Sequence, residues 1–420
     1  MIRFVYSLLW LFVVPLAVLR LAWRSRKQPG YLENIGERFG RYGAGPAPEP
    51  VLWIHAVSVG ETRAAAPLVA ELRARHPGRR ILLTHMTPTG RATGREIFGE
   101  TVERAWLPYD AGFAVRRFLD HYRPTMGIVM ETEIWPRLLD EAARRGIPVL
   151  LANGRMSERS ARRYERAPSL TRWAMGNLAG VAAQTDDDAR RFARLGAREP
   201  VVMGNVKFDV EVPASMLELA AQLRARIGKR PTWLAASTRE GEEALLLEAF
   251  VQCGAAPDVL LVIVPRHPQR FDEVAKLASS RGLGVARRSE GSGIPAEARV
   301  LVGDSMGEML AYCAAADVVA MGGSFLEYGG QNLIEACAVG RPVIVGPSTY
   351  NFEEAARGAV KAGAALRVAD AREAMQAALA LTADPARREE MGRKAAGFVA
   401  RHRGAVTRLA EWIDAKAAPA

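Results

Sequence analysis

From residue 51 onward the chain alternates short apolar runs with amphipathic helical stretches, and it does so twice. Residues 51–55, 81–84, 104–107, 126–130, 148–152, 180–183 and 201–203 read as strands, and stretches such as 63–75, 113–121 and 135–145 carry apolar residues at helical spacing. Strand and helix in strict alternation specify a parallel, doubly wound sheet. After a break at 206–213 a second alternation follows, with strands expected at 233–236, 259–264, 284–286, 300–302, 318–321 and 342–345. A chain of 420 residues is too long for one ordinary core, so two domains are expected. The division reads as an N-terminal membrane anchor with its basic flank (1–27), a first α/β domain (28–205), a linker (206–214), a second α/β domain (215–403), and a terminal helix and tail (404–420). Residues 370–416 read as two or three helices. Two doubly wound domains of similar size imply a cleft lined by strand ends, where ligands bind.

The amino terminus constrains the setting. Residues 4–19 are apolar apart from Tyr6 and Ser7, with Arg3 before them and Arg20, Arg24, Arg26 and Lys27 after. As a helix this run measures roughly 24 Å against a hydrocarbon core of about 30 Å, so spanning and lying in the interface both stay open. Small residues at a cleavage position are missing, which favours an uncleaved anchor over a signal peptide. The basic cluster after it places the body on the cytoplasmic side. The plain alternative is a core helix. Residues 43–50 read as a Gly- and Pro-rich linker. A formal charge of +11 suits nucleic acid, anionic lipid or phosphorylated substrates without choosing among them. Three scattered cysteines exclude a disulfide framework and a zinc ribbon.

The chemistry-bearing residues follow the expected strands. Glu61 opens a helix after the first strand, in Ser58-Val59-Gly60-Glu61. It is a candidate general base, which the helix start should keep ionised; its plain alternative is complementing the helix dipole. Thr87-Pro88-Thr89-Gly90 reads first as a helix cap. Glu131-Thr132-Glu133-Ile134-Trp135-Pro136 brings two carboxylates to one helix start, and only one of them has a local capping role. Lys207, at the domain junction, can neutralise a departing phosphate or simply be solvated. The richest loop runs from Gly322-Gly323 through Gly329-Gly330 to Asn332-Leu333-Ile334-Glu335. Its glycine pairs let backbone N–H groups converge on a phosphate beside a helix start, and Glu335 can accept from ribose hydroxyls. It is neither the dinucleotide fingerprint nor a P-loop. Pro265-Arg266 adds a cation, and Met306-Gly307-Glu308 can frame a base. Asp186-Asp187-Asp188 follows Thr185 as a capping box, which explains it without a metal.

With these loops assembled, the whole chain resembles the 3-deoxy-D-manno-octulosonic acid (Kdo) transferase family. The marks are His55-Ala56-Val57-Ser58-Val59-Gly60-Glu61, Met86-Thr87-Pro88-Thr89-Gly90, Leu107-Pro108-Tyr109-Asp110, Met130-Glu131-Thr132-Glu133-Ile134-Trp135-Pro136, Lys207-Phe208-Asp209, Val264-Pro265-Arg266-His267-Pro268, Gly303-Asp304-Ser305-Met306-Gly307-Glu308 and the glycine-pair loop. The family usually reads Asn-Pro-Leu-Glu where this chain has Asn332-Leu333-Ile334-Glu335; proline there only pre-sets the first helical turn.

The resemblance implies a GT-B architecture and an inverting transfer of Kdo from CMP-Kdo to the lipid A precursor (lipid IVA), a step of lipopolysaccharide biosynthesis. No metal or other cofactor and no nucleic acid are implied. It places the enzyme at the cytoplasmic face of the inner membrane. By position, Glu61 looks like the proton acceptor, and Glu131 and Lys207 like transition-state stabilisers. Pro265, Arg266, Met306, Gly307, Glu308, Asn332, Leu333, Ile334 and Glu335 look like the CMP pocket. The basic segments at 24–27, 38–41 and 155–166 suit the anionic head group of such an acceptor. Two other readings stay open on the residues alone: a GT-B transferase with a UDP-sugar donor, and a non-catalytic lipid-binding protein on the same fold. Nor do the residues fix the number of Kdo units added or the oligomeric state.

Overall fold

The computed structural model describes residues 2–26, 28–43, 49–291 and 293–417; Lys27 of the basic flank, residues 44–48 of the expected linker and the tail beyond residue 417 lie outside them. The chain forms two compact units, Met1–Asp209 together with Gly404–Ala420, and Val210–Arg403. Each is built on a seven-stranded parallel sheet, so the architecture is two parallel α/β domains of GT-B type.

In the first unit the strands are β1 (Leu52–His55), β2 (Ile81–His85), β3 (Glu103–Trp106), β4 (Met126–Met130), β5 (Val149–Gly154), β6 (Gly180–Ala183) and β7 (Val201–Val202), in spatial order β3-β2-β1-β4-β5-β6-β7. β1 is bracketed by β2 and β4, with Leu52 level with both Ile81 and Met126. The strands are apolar throughout because both faces are covered. Trp53, Leu82, Val129 and Leu151 point to one core layer. Ile54, Leu83, Ile128 and Leu150 point to the other, against Leu68 and Leu72 of the helix Val59–Arg75 and Leu409 and Ile413 of the terminal helix Ala405–Ala417. Asp209 fixes that last helix by accepting from Gly404 N and Val406 N, each at 2.6 Å. Because the chain winds outward from β1 to β3 and then returns to β4, the carboxyl ends of β1 and β4 flank the point where the winding reverses. Open α/β sheets bind ligands there.

The second unit repeats the plan with β8 (Thr232–Thr238), β9 (Leu260–Pro265), β10 (Gly284–Arg287), β11 (Ala298–Val302), β12 (Val318–Met321), β13 (Val343–Val345) and β14 (Ala365–Arg367), ordered β10-β11-β9-β8-β12-β13-β14. Its reversal point lies between β8 and β12. β14 is the strand that sequence periodicity did not show, a three-residue edge strand with only its first residue buried.

The N-terminal helix runs Ile2–Ser25 and is not ended by Pro15, which lies inside it. Its 24 residues span about 36 Å, longer than the apolar run suggested, and it is long and apolar enough to cross a membrane. It lies along the first unit. Tyr6 donates to Asp110 Oδ2 at 2.7 Å, Arg3 pairs with Asp140 at 3.1 Å, Leu21 is buried, and the Arg24 guanidinium sits over the Tyr31 ring. Phe4, Leu8, Phe12, Leu16, Leu19 and Trp23 form the opposite, exposed face.

Candidate active site

At the reversal point of the first unit, β1 ends at His55 and Ala56-Val57-Ser58 turns into the helix Val59–Arg75, so Glu61 is its third residue. The Glu61 carboxylate folds back on the turn. Val57 N donates to Oε2 at 2.9 Å and the Ser58 hydroxyl to Oε1 at 3.3 Å. The turn is braced from the next loop: Val57 O accepts from Met86 N, Thr87 N and, at 3.0 Å, from the Thr87 hydroxyl. Thr87 Oγ1 in turn accepts from Gly90 N, capping the helix Pro88–Phe98. Below, His85 Nδ1 lies 2.9 Å from Ala56 O, and His55 Nδ1 lies 2.9 Å from Thr84 Oγ1. Burial drives His55 down to about 3 and His85 to about 4, so both rings are neutral and act as scaffold.

Glu61 does not behave as its place in the helix suggested. Burial raises its pKa from 4.5 to about 7, against the Val57 N–H, and the negative fields of Glu131 and Glu133 add to the rise. The helix start is outweighed, and near neutral pH the group is divided between acid and carboxylate. That is the range in which a general base works best.

Glu131 follows β4 with φ of +58°, in the left-handed region. Its backbone is held there by Glu131 N donating to Ala152 O and Arg155 N donating to Glu131 O. The side chain meets Lys207, whose Nζ donates to Oε1 at 2.8 Å. Lys207 sits in a 3₁₀ turn, Val206–Phe208, whose two apolar members are buried in the first unit. Glu133 accepts from Trp135 Nε1 at 3.1 Å, and burial raises its pKa. Three carboxylates and one ammonium thus meet at the carboxyl ends of β1 and β4. The acidic triplet is otherwise engaged: Asp188 accepts from Met156 N and from the Thr185 hydroxyl, which itself receives Asp188 N.

In the second unit the expected donor residues lie at the end of a strand or after one. Pro265 ends β9, and Arg266 N donates to Thr238 O. Met306 is exposed, Gly307 has φ of +79°, and Glu308 pairs with Arg288 at 3.2 Å while accepting from the Ser305 hydroxyl at 2.7 Å. Asn332 Nδ2 donates to Glu335 Oε1 at 2.9 Å, and Asn332 Oδ1 receives Ile334 N, supplying the constraint that a proline would give this turn. Leu333 and Ile334 are buried, so they can offer a ligand backbone only. Burial raises the pKa of Glu335, opposed by Asn332 and by the charge of Arg266.

The glycine-pair loop departs from the expected phosphate cradle. Its N–H groups are largely spent inside the unit: Gly323 N and Phe325 N on the Glu242 carboxylate at 2.6 and 2.9 Å, Gly329 N on the Ser348 hydroxyl, Gly330 N on Gly323 O, and Gln331 N on Gly322 O. A Cβ on Gly322 would meet Ser237 O at 2.6 Å, so the glycine there permits close approach to β8. The helix that follows, Ile334–Ala338, has five residues, too few for much dipole. Glu242 is the residue that sequence reasoning missed. It is fully buried and also accepts from Arg239 N at 2.8 Å. The available signal was the acidic pair Glu242-Glu243, directly after Gly241 in the turn that follows a strand.

Comparison with known proteins decides the family. Residues 33–210 match the 3-deoxy-D-manno-octulosonic-acid transferase (kdotransferase) family, and residues 244–398 match glycosyl transferases group 1. The chain is 48% identical to the 3-deoxy-D-manno-octulosonic acid transferase of Bordetella pertussis, over 98% of this chain and 99% of that one. The chain belongs to the Kdo transferase family. It is therefore a glycosyltransferase, and the corresponding Haemophilus influenzae transferase is 36% identical over 98% of both chains. In three dimensions the UDP-GlcNAc 2-epimerase of Neisseria meningitidis covers 88% of the chain with a TM-score of 0.54 at 15% identity, a likeness of fold alone. Within this Kdo transferase, the structure groups Glu61, Glu131 and Lys207 in one unit and the nine expected donor residues in the other.

Proposed function

We propose that the chain transfers Kdo from CMP-Kdo to a hydroxyl of the lipid A precursor, lipid IVA, with inversion and without a metal. The acceptor oxygen attacks the anomeric carbon as the bond from that carbon to the CMP phosphate oxygen breaks. The acceptor's proton passes to Glu61, and the bonding pair leaves with CMP as its phosphodiester becomes a monoester. Lys207, oriented by Glu131, offsets negative charge in the transition state. Pro265, Arg266, Met306, Gly307, Glu308 and the Asn332-to-Glu335 turn hold CMP. The observation that carries this reading is the Glu61 carboxylate, fixed by two donors at the reversal point and raised to about 7. A base of that pKa takes a proton near neutral pH, and a positioned base is worth about 10²–10⁴ in rate.

The acceptor is a lipid, and the N-terminal helix suits such a surface. It shows its aliphatic and aromatic face outward while Arg3 and Tyr6 hold it to the body. We read it as an anchor seated in the cytoplasmic leaflet of the inner membrane. The test is mass spectrometry of lipid IVA incubated with the enzyme and CMP-Kdo. Gain of one or more Kdo masses, lost in Glu61→Ala, is expected, and the product mass counts the additions. Transfer from a UDP-sugar but not from CMP-Kdo would overturn the donor assignment. No transfer from any donor would overturn the reading altogether.

A further inference from the structure

We propose that Asn153, Gln184 and Asn205 form a buried amide chain whose task is to position Lys207 against Glu131, and that they act on the reaction through that lysine. The inference rests on the role proposed above for Lys207. The three side chains come from consecutive strand ends: Asn153 in β5, Gln184 just after β6, and Asn205 after β7. All are nearly sealed from solvent, at 1%, 3% and 8% exposure. Asn153 has φ of +53°, a conformation asparagine tolerates better than most residues. Its Oδ1 receives Val206 N at 3.2 Å, while its carbonyl receives Gln184 Nε2 at 3.0 Å. Gln184 Oε1 receives Asn205 Nδ2 at 2.8 Å, and Asn205 Oδ1 receives Lys207 N at 3.0 Å. The circuit closes through the other partner, because Glu131 N is bonded to Ala152 O, the residue before Asn153.

The links from Asn153 to Val206, Gln184 to Asn153 and Asn205 to Gln184 are buried, while those of Asn205 and Glu131 to Lys207 are partly buried. Three buried amides are a costly way to fill a core, the more so because Asn153 Nδ2 has no hydrogen-bond partner among the described residues. Apolar residues would fill the same space with less risk, but they cannot direct the N–H groups of Val206 and Lys207. The chain thereby fixes the backbone from which the Lys207 ammonium projects. A displacement of about 1 Å at a reacting group costs up to about 10²-fold in rate.

The experiment is a double-mutant cycle on kcat with CMP-Kdo and lipid IVA, using Asn205→Ala, Lys207→Ala and the pair, with thermal unfolding as the control for folding. Asn205→Ala is expected to lower kcat about 10–100-fold with little change in the KM for CMP-Kdo, and to cost nothing further once Lys207 is replaced. Asn205→Ser, whose hydroxyl can still receive the Lys207 amide, should recover part of the loss. If Asn205→Ala does not fold, Gln184→Ala enters the same cycle. Equal losses from the amide variant with and without Lys207 would show a merely structural role and overturn the proposal. An inactive Lys207→Ala beside a fully active Asn205→Ala would overturn it too. A fully active Lys207→Ala would instead remove the role assigned to the lysine, and this inference with it.

Discussion

Replacing Glu61 by glutamine separates the base from the cap. The substituted amide can still accept from Val57 N and keep contact with the Ser58 hydroxyl, so both bonds that hold the side chain survive. What is removed is the ionisable proton site. The folded-state pKa rises from 4.5 to about 7, and at ~1.4 kcal/mol per pKa unit the ionised carboxylate costs the fold about 3 kcal/mol. The sign follows from linkage. A carboxyl whose pKa is raised by folding contributes its stability below the unfolded value, near 4.5, and loses it as pH climbs through about 7. Wild type should therefore lose about 3 kcal/mol between about pH 4.5 and 8 relative to Glu61→Gln, and the two should agree below about pH 4.5. Urea unfolding at a series of pH values measures the gap. On the catalytic side, kcat should fall about 10²–10⁴-fold in the Gln variant, while CMP-Kdo binding is unchanged. In wild type, kcat/KM should lose activity as pH drops below about 7. A Gln variant that turns over normally would refute the base assignment. A stability gap that stays flat with pH would refute the burial argument.

Three further outcomes follow from the geometry. Glu242→Ala leaves the N–H groups of Gly323, Phe325 and Arg239 without their acceptor, at about 1–3 kcal/mol for each donor left unsatisfied. CMP affinity by calorimetry should fall at least about tenfold, with Glu242→Gln intermediate because one accepting oxygen remains. Phe12→Glu combined with Leu16→Glu charges the outward face of the N-terminal helix, at about 2–3 kcal/mol per residue in hydrocarbon. Co-sedimentation with anionic vesicles should be lost while the unfolding midpoint holds. Asp209→Ala uncaps the terminal helix, and the urea midpoint should drop by the equivalent of about 1–2 kcal/mol.

The two sheets were legible in the sequence because parallel strands buried on both faces must be unbroken apolar runs. β14 was not, since Ala365-Leu366-Arg367 is too short to show a period and two of its three residues are not buried. The loops bearing Glu61, Glu131 and Lys207 were legible as polar residues at strand ends. Their electrostatics were not, because Glu61 titrates in a field set by burial and by carboxylates from a loop after β4. The glycine pairs misled for a similar reason. Glycines show in a sequence, but the acceptor that uses up their N–H groups lies 81 residues upstream, in Glu242. Sequence separation also hid the amide chain, whose members are ordinary polar residues when taken singly. The N-terminal helix exceeded its apolar run because Leu21 and Arg24 find partners on the body that composition does not display.

The terminal helix has a consequence for biosynthesis. Leu409, Ala410 and Ile413 belong to the same core layer as β1 and β4, yet a ribosome adds them only after the whole second unit. The second unit is an uninterrupted stretch, Val210–Arg403, complete in sequence before those residues emerge. During vectorial synthesis the first unit begins before the second yet is completed after it, holding its Glu61 face over an unfilled core until the helix Ala405–Ala417 arrives. A premature stop just after Arg403 would therefore damage the first unit, leaving a complete second unit joined to one whose core was never filled.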